Sequence, residues 1–293
     1  MKLQVPRRRF LEGSELAVVG FRQVVRGRPS AFTLIELLVV ISIISILASM
    51  LLPSLSRGKD QARMVQCINN LRQMGFSIKL YTDDFSSRFP VKTVFEANGV
   101  AKYTDQTLGG NDPTPGRASH YPSAAIRPLY GYMKPSPVYR CPVDKGQKSW
   151  PPVSGVAELT PSNWETIGCS YQYNAGGLIY PAGGGFRQKP ADLEKGLAGK
   201  KEEWVPSPEK YIQIHEPPAR VYQDGASSTW YQWHFVRGPT VLWDPRRCRQ
   251  DFISPVLFVD GHASKHDFSK ALSTDPYYPY EPTANWIWYK PND

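Results

Sequence analysis

The sequence predicts an α+β fold in which one long N-terminal helix packs on an irregular, antiparallel, β-rich C-terminal domain. Three observations predict it: an apolar run of membrane length, a helical stripe that continues beyond that run, and a downstream composition rich in Pro, Gly, Tyr and Trp. The run from Phe32 to Leu52 holds 21 residues with no Lys, Arg or Asp and a single Glu, Glu36. At about 1.5 Å rise per residue such a helix is about 31 Å long, the thickness of one bilayer core. It exceeds the apolar core of a secretory signal, and Ala48, Ser49 and Met50 make a poor cleavage site. A charged side chain at the centre of such a helix costs roughly 2.5 to 3.5 kcal/mol, so Glu36 needs a partner or a purpose.

Beyond Pro53, apolar residues recur at Met64, Cys67, Ile68, Leu71, Met74, Ile78 and Tyr81, which is helical spacing. Arg63, Gln66, Asn69, Asn70, Arg72, Gln73 and Lys79 fill the other face, so the membrane helix is expected to continue into water as an amphipathic stem covered on one side. A single helix from Phe32 to Thr82 would reach about 77 Å. Pro53, which lacks a donor, and Gly58 are the expected bends; Asp83, Asp84 and Pro90 are the expected end. The chain therefore divides into a leader (1–31), a membrane-spanning half-helix (32–53), a stem (54–84) and a globular domain (85–293).

In that last part only short apolar runs remain, among them Lys210 to Ile214 and Pro255 to Asp260, which read as strands between turns. Gly109 to Gly116 and Pro181 to Gly185 are loops by composition. Charge adds orientation: the net +9 of the chain includes +5 in residues 1–31, so the remainder carries only +4. A basic leader belongs on the cytoplasmic side beside anionic lipid, and nucleic acid is not implied. Cys67, Cys141, Cys169 and Cys248 then all lie across the membrane, where disulfides are permitted. Four cysteines allow three pairings and the sequence does not choose; Cys67, on the apolar stripe, reads most simply as a small buried hydrophobe.

The string Ala31-Phe32-Thr33-Leu34-Ile35-Glu36-Leu37-Leu38 resembles the recognition site of type IV prepilins and type II secretion pseudopilins. The resemblance implies a pilin-like fold. It places cleavage by a prepilin peptidase between Ala31 and Phe32, N-methylation at Phe32, and an assembly carboxylate at Glu36; Pro53 matches a proline common in pilin helices. Ala31 departs from the usual Gly, with normal or slowed processing expected. Further strings resemble a subfamily of large prepilin-like proteins whose C-terminal domain is named for His, nine residues, then Asp-Gly. They are Cys67 to Gly75 with Asn69 and Asn70, Tyr81 with Asp83, Arg140-Cys141-Pro142-Val143-Asp144, Ser170 to Asn174, and Val256 to His262 with Asp260 and Gly261. Here 25 residues separate His234 from Asp260, so either an insertion within Arg237 to Phe252 splits the motif or His234 is not its His.

Asp260-Gly261-His262 reads first as a tight turn. A calcium site from Asp260, His262, His266 or Asp267 lacks the spaced carboxylates such loops use, a zinc site from His262 and His266 lacks a third ligand, and without Cys-x-x-Cys no metal or other cofactor is expected. No nucleophile elbow, zinc-protease helix, phosphate loop or dinucleotide fingerprint occurs, so a structural subunit is expected rather than an enzyme. The resemblance implies assembly with other pseudopilin subunits into a secretion pseudopilus or pilus-like filament, with an inner-membrane platform and secretion ATPase acting indirectly. It implies a single-pass inner-membrane protein whose C-terminal domain is periplasmic or extracellular. Eight Trp and sixteen Tyr keep a glycan-binding minor pilin as an alternative. A cleft joining His234 to Asp260 or Asp244 would favour a membrane-anchored enzyme.

Overall fold

A computed structural model of the chain describes residues 32–95, 99, 101–103, 107–119, 121–146, 148–150, 161–175, 196–216, 222–224, 227–230, 234, 253–268 and 284–287. The chain separates into two units, Met1–Leu52 and Pro53–Asp293. Helix α1 (Leu34–Asp84) contains the apolar window long enough to cross a bilayer. In the first unit its large apolar side chains from Leu34 to Leu52 are exposed. Ser42, Ser45 and Ser49 donate their hydroxyls to the carbonyls of Leu38, Ile41 and Ile46, so no hydroxyl of this stretch depends on water. Helical structure continues unbroken through Pro53 and Gly58, so neither residue ends the helix.

In the second unit the stripe Met64, Cys67, Leu71, Met74, Ile78 and Tyr81 is buried, at the three- and four-residue steps that keep one face of a helix inward. Asn70 departs from the expectation that placed it on the solvent face: it is buried because its amide donates to the Arg140 carbonyl and to the Tyr171 hydroxyl. Gly75 sits against Leu257, where an added Cβ would lie 3.1 Å from a Leu257 methyl. The stem thus approaches a sheet more closely there than an alanine comfortably allows.

That sheet is antiparallel, with four strands in the order β4 (Gln172–Tyr173), β5 (Ile212–His215), β8 (Ile253–Phe258), β9 (Ala263–Asp267). All four residues of β5 are buried, as a central strand covered on both faces requires. A register shift between Ile212 and Ile214 opposite Phe258 and Leu257 marks a bulge in β5. Two smaller antiparallel sheets complete the strands: β1 (Thr93–Phe95) with β2 (Ala101–Tyr103), and β7 (Ser227–Trp230) between β3 (Lys148–Trp150) and β6 (Tyr222–Asp224). The expected strands near Lys210 and Pro255 are β5 and β8, while the loop at Pro181 and the segment Arg237 to Phe252 lie outside the described residues.

A short helix, α2 (Asn163–Ile167), closes the region between β3 and β4. Ser162 caps it by accepting the Glu165 amide, and Gly168 ends it at φ +86°, a conformation that suits glycine. Asp144 supports the same helix from outside, accepting the amides of Asn163 (3.1 Å) and Trp164 (2.9 Å), the Gly146 amide (2.7 Å) and the Ser170 hydroxyl (2.6 Å). Burial raises the Asp144 carboxyl above its ordinary range, and these hydrogen bonds oppose the shift.

Candidate functional site

At the N-terminal end, Ala31 lies outside the described residues and Phe32 is exposed. Thr33 and Glu36 form a reciprocal cap. The Glu36 carboxylate accepts the Thr33 amide (2.8 Å) and hydroxyl (2.7 Å) on Oε2, and the Glu36 amide donates to the Thr33 hydroxyl (3.2 Å). The spacing Thr-x-x-Glu is a helix-start signature that was legible in the sequence. Glu36 therefore has work within its own chain, fixing where the helix begins, at Leu34 directly after Thr33.

The second constellation lies in the head and stem. Cys67 comes from α1, Cys141 from the turn before Asp144, Glu216 from the residue after β5, and His234 from the segment after β7. Their ligand atoms all lie within 4.8 Å of one another. The two sulfurs are 3.5 Å apart, His234 Nε2 is 3.3 Å from Cys67 Sγ and 3.4 Å from Cys141 Sγ, and Glu216 Oε2 is 3.1 Å from the same nitrogen. Exposure is 0% for Cys67, 1% for Cys141, 1% for Glu216 and 7% for His234. The Val143 amide donates to Cys141 Sγ (3.4 Å), and Glu216 Oε1 has no hydrogen-bond partner among the described residues.

The electrostatics of the cluster are those of crowded, dry donors. Contact with the Cys141 thiol draws the Cys67 pKa down against the opposing effect of burial, whereas burial pushes the Cys141 thiol well up. Burial alone would lower His234; the charge of the Glu216 carboxylate and the hydrogen bonds that the imidazole makes to Cys67 and Glu216 outweigh it and carry the imidazole up to about 10. Cys67 is thus more than an inert filler of the stripe. Cys141 and Cys169 are both buried free thiols, and Cys248 lies outside the described residues. In the sequence Cys67 and Cys141 stand in separate motifs, 25 residues rather than nine separate His234 from Asp260, and Glu216 belongs to no motif. No local spacing joins them.

The quoted strings converge around this cluster. Asn70 bridges the stem to Arg140 and Tyr171, Asp144 binds Ser170, Pro142 lies in the turn that presents Cys141, and the Asn174 side chain donates to the Ile212 carbonyl of β5. Asn69 is exposed and uses its carbonyl only within the helix, accepting from Gln73. Asp260, Gly261 and His262 form the β8–β9 turn: Gly261 has φ +90°, and Asp260 accepts the His262 amide (3.0 Å) and meets its ring nitrogen (2.7 Å). His234 and Asp260 are not joined, since the one is buried with the cysteines and the other is partly exposed beside His262. Asp244 lies outside the described residues, as do most of the aromatic residues that motivated a glycan-binding face.

Residues 26–52 match the family described as the prokaryotic N-terminal methylation motif. No curated protein and no solved structure matches the chain. The matched residues hold the expected processing site, the Thr33–Glu36 cap and the apolar run of α1. The chain carries the N-terminal methylation motif, as type IV prepilin-like and pseudopilin precursors do, and among the described residues one helix, α1, which begins within the motif, is long and apolar enough to anchor it in a membrane.

Proposed function

We infer that the protein is a structural filament subunit: a prepilin peptidase cuts between Ala31 and Phe32 and methylates the new amine, and the mature chain polymerises into a type II secretion pseudopilus or type IV pilus-like filament. The observation that carries this reading is the exposure of an entire apolar half-helix whose single acid, Glu36, lies four residues from the new terminus. Lipid shields that surface before assembly and neighbouring helices shield it afterwards. Both Thr33 donors use Oε2 of Glu36, so a neighbour's Phe32 ammonium would approach Oε1 and relieve two charges in an apolar interior. The leader then lies in the cytoplasm, the anchor in the inner membrane and the head in the periplasm or outside the cell, with an ATPase and membrane platform supplying the work. The buried Cys-His-Glu cluster supports a structural rather than catalytic subunit, because groups sealed this far from solvent have no access to substrate.

Glu36→Val tests the assignment. The variant should still be cut, giving methyl-Phe32 as the N-terminus by mass spectrometry, and should insert in lipid at least as well as the parent. Filament yield after shearing should collapse when expressed alone. Equal filament yield from cleaved Glu36→Val protein would refute the charge pairing, and a mature chain that begins elsewhere than Phe32 would refute the subunit reading itself.

A further inference from the structure

We propose that Cys67, Cys141, Glu216 and His234 bind a zinc ion that fastens the stem helix to the globular domain. The site is independent of whether the protein forms filaments. Its donors are two thiols, an imidazole and a carboxylate, a set that zinc takes in tetrahedral geometry and that calcium or magnesium, which require oxygen ligands, do not. Four of the six ligand–ligand distances match a tetrahedral zinc site, and the two sulfur–carboxylate distances lie within 4.8 Å. Around zinc, with bonds of about 2.3 Å to sulfur and about 2.0–2.1 Å to nitrogen and oxygen, tetrahedral edges are about 3.8 Å for S···S, about 3.5 Å for S···N and about 3.3 Å for N···O. The corresponding separations are 3.5 Å, 3.3 and 3.4 Å, and 3.1 Å, each within about 0.3 Å of the edge expected.

Hydrogen bonding alone does not account for the arrangement. Nε2 of His234 offers one proton or one lone pair, yet three heavy atoms close on it. Glu216 Oε1 is buried with no hydrogen-bond partner among the described residues, an expensive state for a carboxylate that metal ligation or its charge would relieve. The Val143 amide pointing at Cys141 Sγ is the outer contact that a metal-bound thiolate attracts. A disulfide between Cys67 and Cys141 would satisfy the sulfurs but leave the His234–Glu216 pair buried beside them with Glu216 Oε1 still unsatisfied among the described residues.

Four protein ligands leave no open coordination position, so the ion is structural. Its effect follows from where the ligands sit: Cys67 and Cys141 are 74 residues apart, Cys141 and His234 are 93, and Cys67 and His234 are 167. One ion would therefore close several long loops at once and hold the stem against the globular domain.

The test uses the full chain, extracted in mild detergent with reductant and without chelator. Elemental analysis should find a single zinc ion per chain. Replacement by Co²⁺ should give thiolate charge-transfer absorption and the intense visible bands of tetrahedral cobalt. Cys67→Ser and Cys141→Ser should each lose the zinc, whereas Cys169→Ser, a buried thiol outside the cluster, should keep it. Because a serine variant that misfolds would lose metal for another reason, Glu216→Gln is the second arm: it should lower zinc occupancy at matched free zinc while retaining the cobalt–thiolate absorption. Three results would overturn the proposal: chain that holds no zinc and develops no thiolate band with Co²⁺, zinc content unchanged in both serine variants, or peptide mapping that finds Cys67 and Cys141 joined as a disulfide in protein taken from the membrane.

Discussion

Helix α1 runs from Leu34 to Asp84, yet its two halves obey different rules. Before Pro53 the large apolar side chains point in every direction and all are exposed; from Met64 onward the stripe Met64, Cys67, Leu71, Met74, Ile78 and Tyr81 is buried, while Val65, Phe76 and Leu80 lie off it and stay exposed. Backbone hydrogen bonding is the same in both halves, so what differs is the surrounding each half is composed for: an apolar medium on all sides, against one folded domain on one side. A helix can thus be read for its solvent from the angular spread of its apolar residues, independently of its length.

The largest effect should come from putting a charge into the buried stripe. Leu71→Asp leaves an unpaired carboxylate among core side chains and should destabilise the head by about 4 kcal/mol or more, seen as a large drop in the melting temperature of the detergent-solubilised chain. Melting at the parent temperature would erase the distinction between the halves. Ile43→Asp is the matching change in the lipid half. Here about 3 kcal/mol should appear as poorer membrane insertion, measured in an insertion assay, with the head melting as before. If the head melts earlier in this variant, the two regions are not energetically separate.

Asp144→Ala sharpens the comparison by attacking the cover rather than the stripe. It strips the amides of Gly146, Asn163 and Trp164 and the Ser170 hydroxyl of their acceptor and should cost about 1–3 kcal/mol, read in denaturant unfolding as a lower midpoint. Gly75→Ala should be smallest. The new methyl meets Leu257 at 3.1 Å, tight but against a side chain that can yield, while alanine gains helix propensity; the two nearly cancel, within about 1 kcal/mol. A loss well beyond that would mean that the stem–sheet contact is more rigid than its side chains imply.

Much of the architecture was legible because its determinants are local. The apolar run, the stripe from Met64 to Tyr81 and the Asp-Gly turn each lie within a few turns of chain, so spacing reveals them. The caps are equally local: Thr33-x-x-Glu36 and Ser162-x-x-Glu165 both carry the helix-start spacing, and both are formed. Asn70 misled because an amide looks solvent-seeking until a carbonyl and a tyrosine hydroxyl are brought to it.

By itself the sequence determined where the N-terminal methylation motif lies, which segment is apolar enough for a bilayer, where the stem carries its stripe and where helices and turns begin, since each depends on residues within hydrogen-bonding or side-chain reach along one element. Only the tertiary structure decided that Cys67, Cys141, Glu216 and His234 share one site. Their separations along the chain, 74 and 93 residues among them, carry no periodicity that a reader could recognise. Such side chains are brought together when the stem's stripe, the Cys141 turn and the end of β5 pack into one core, and the free energy of that packing belongs to the whole fold rather than to any segment of it.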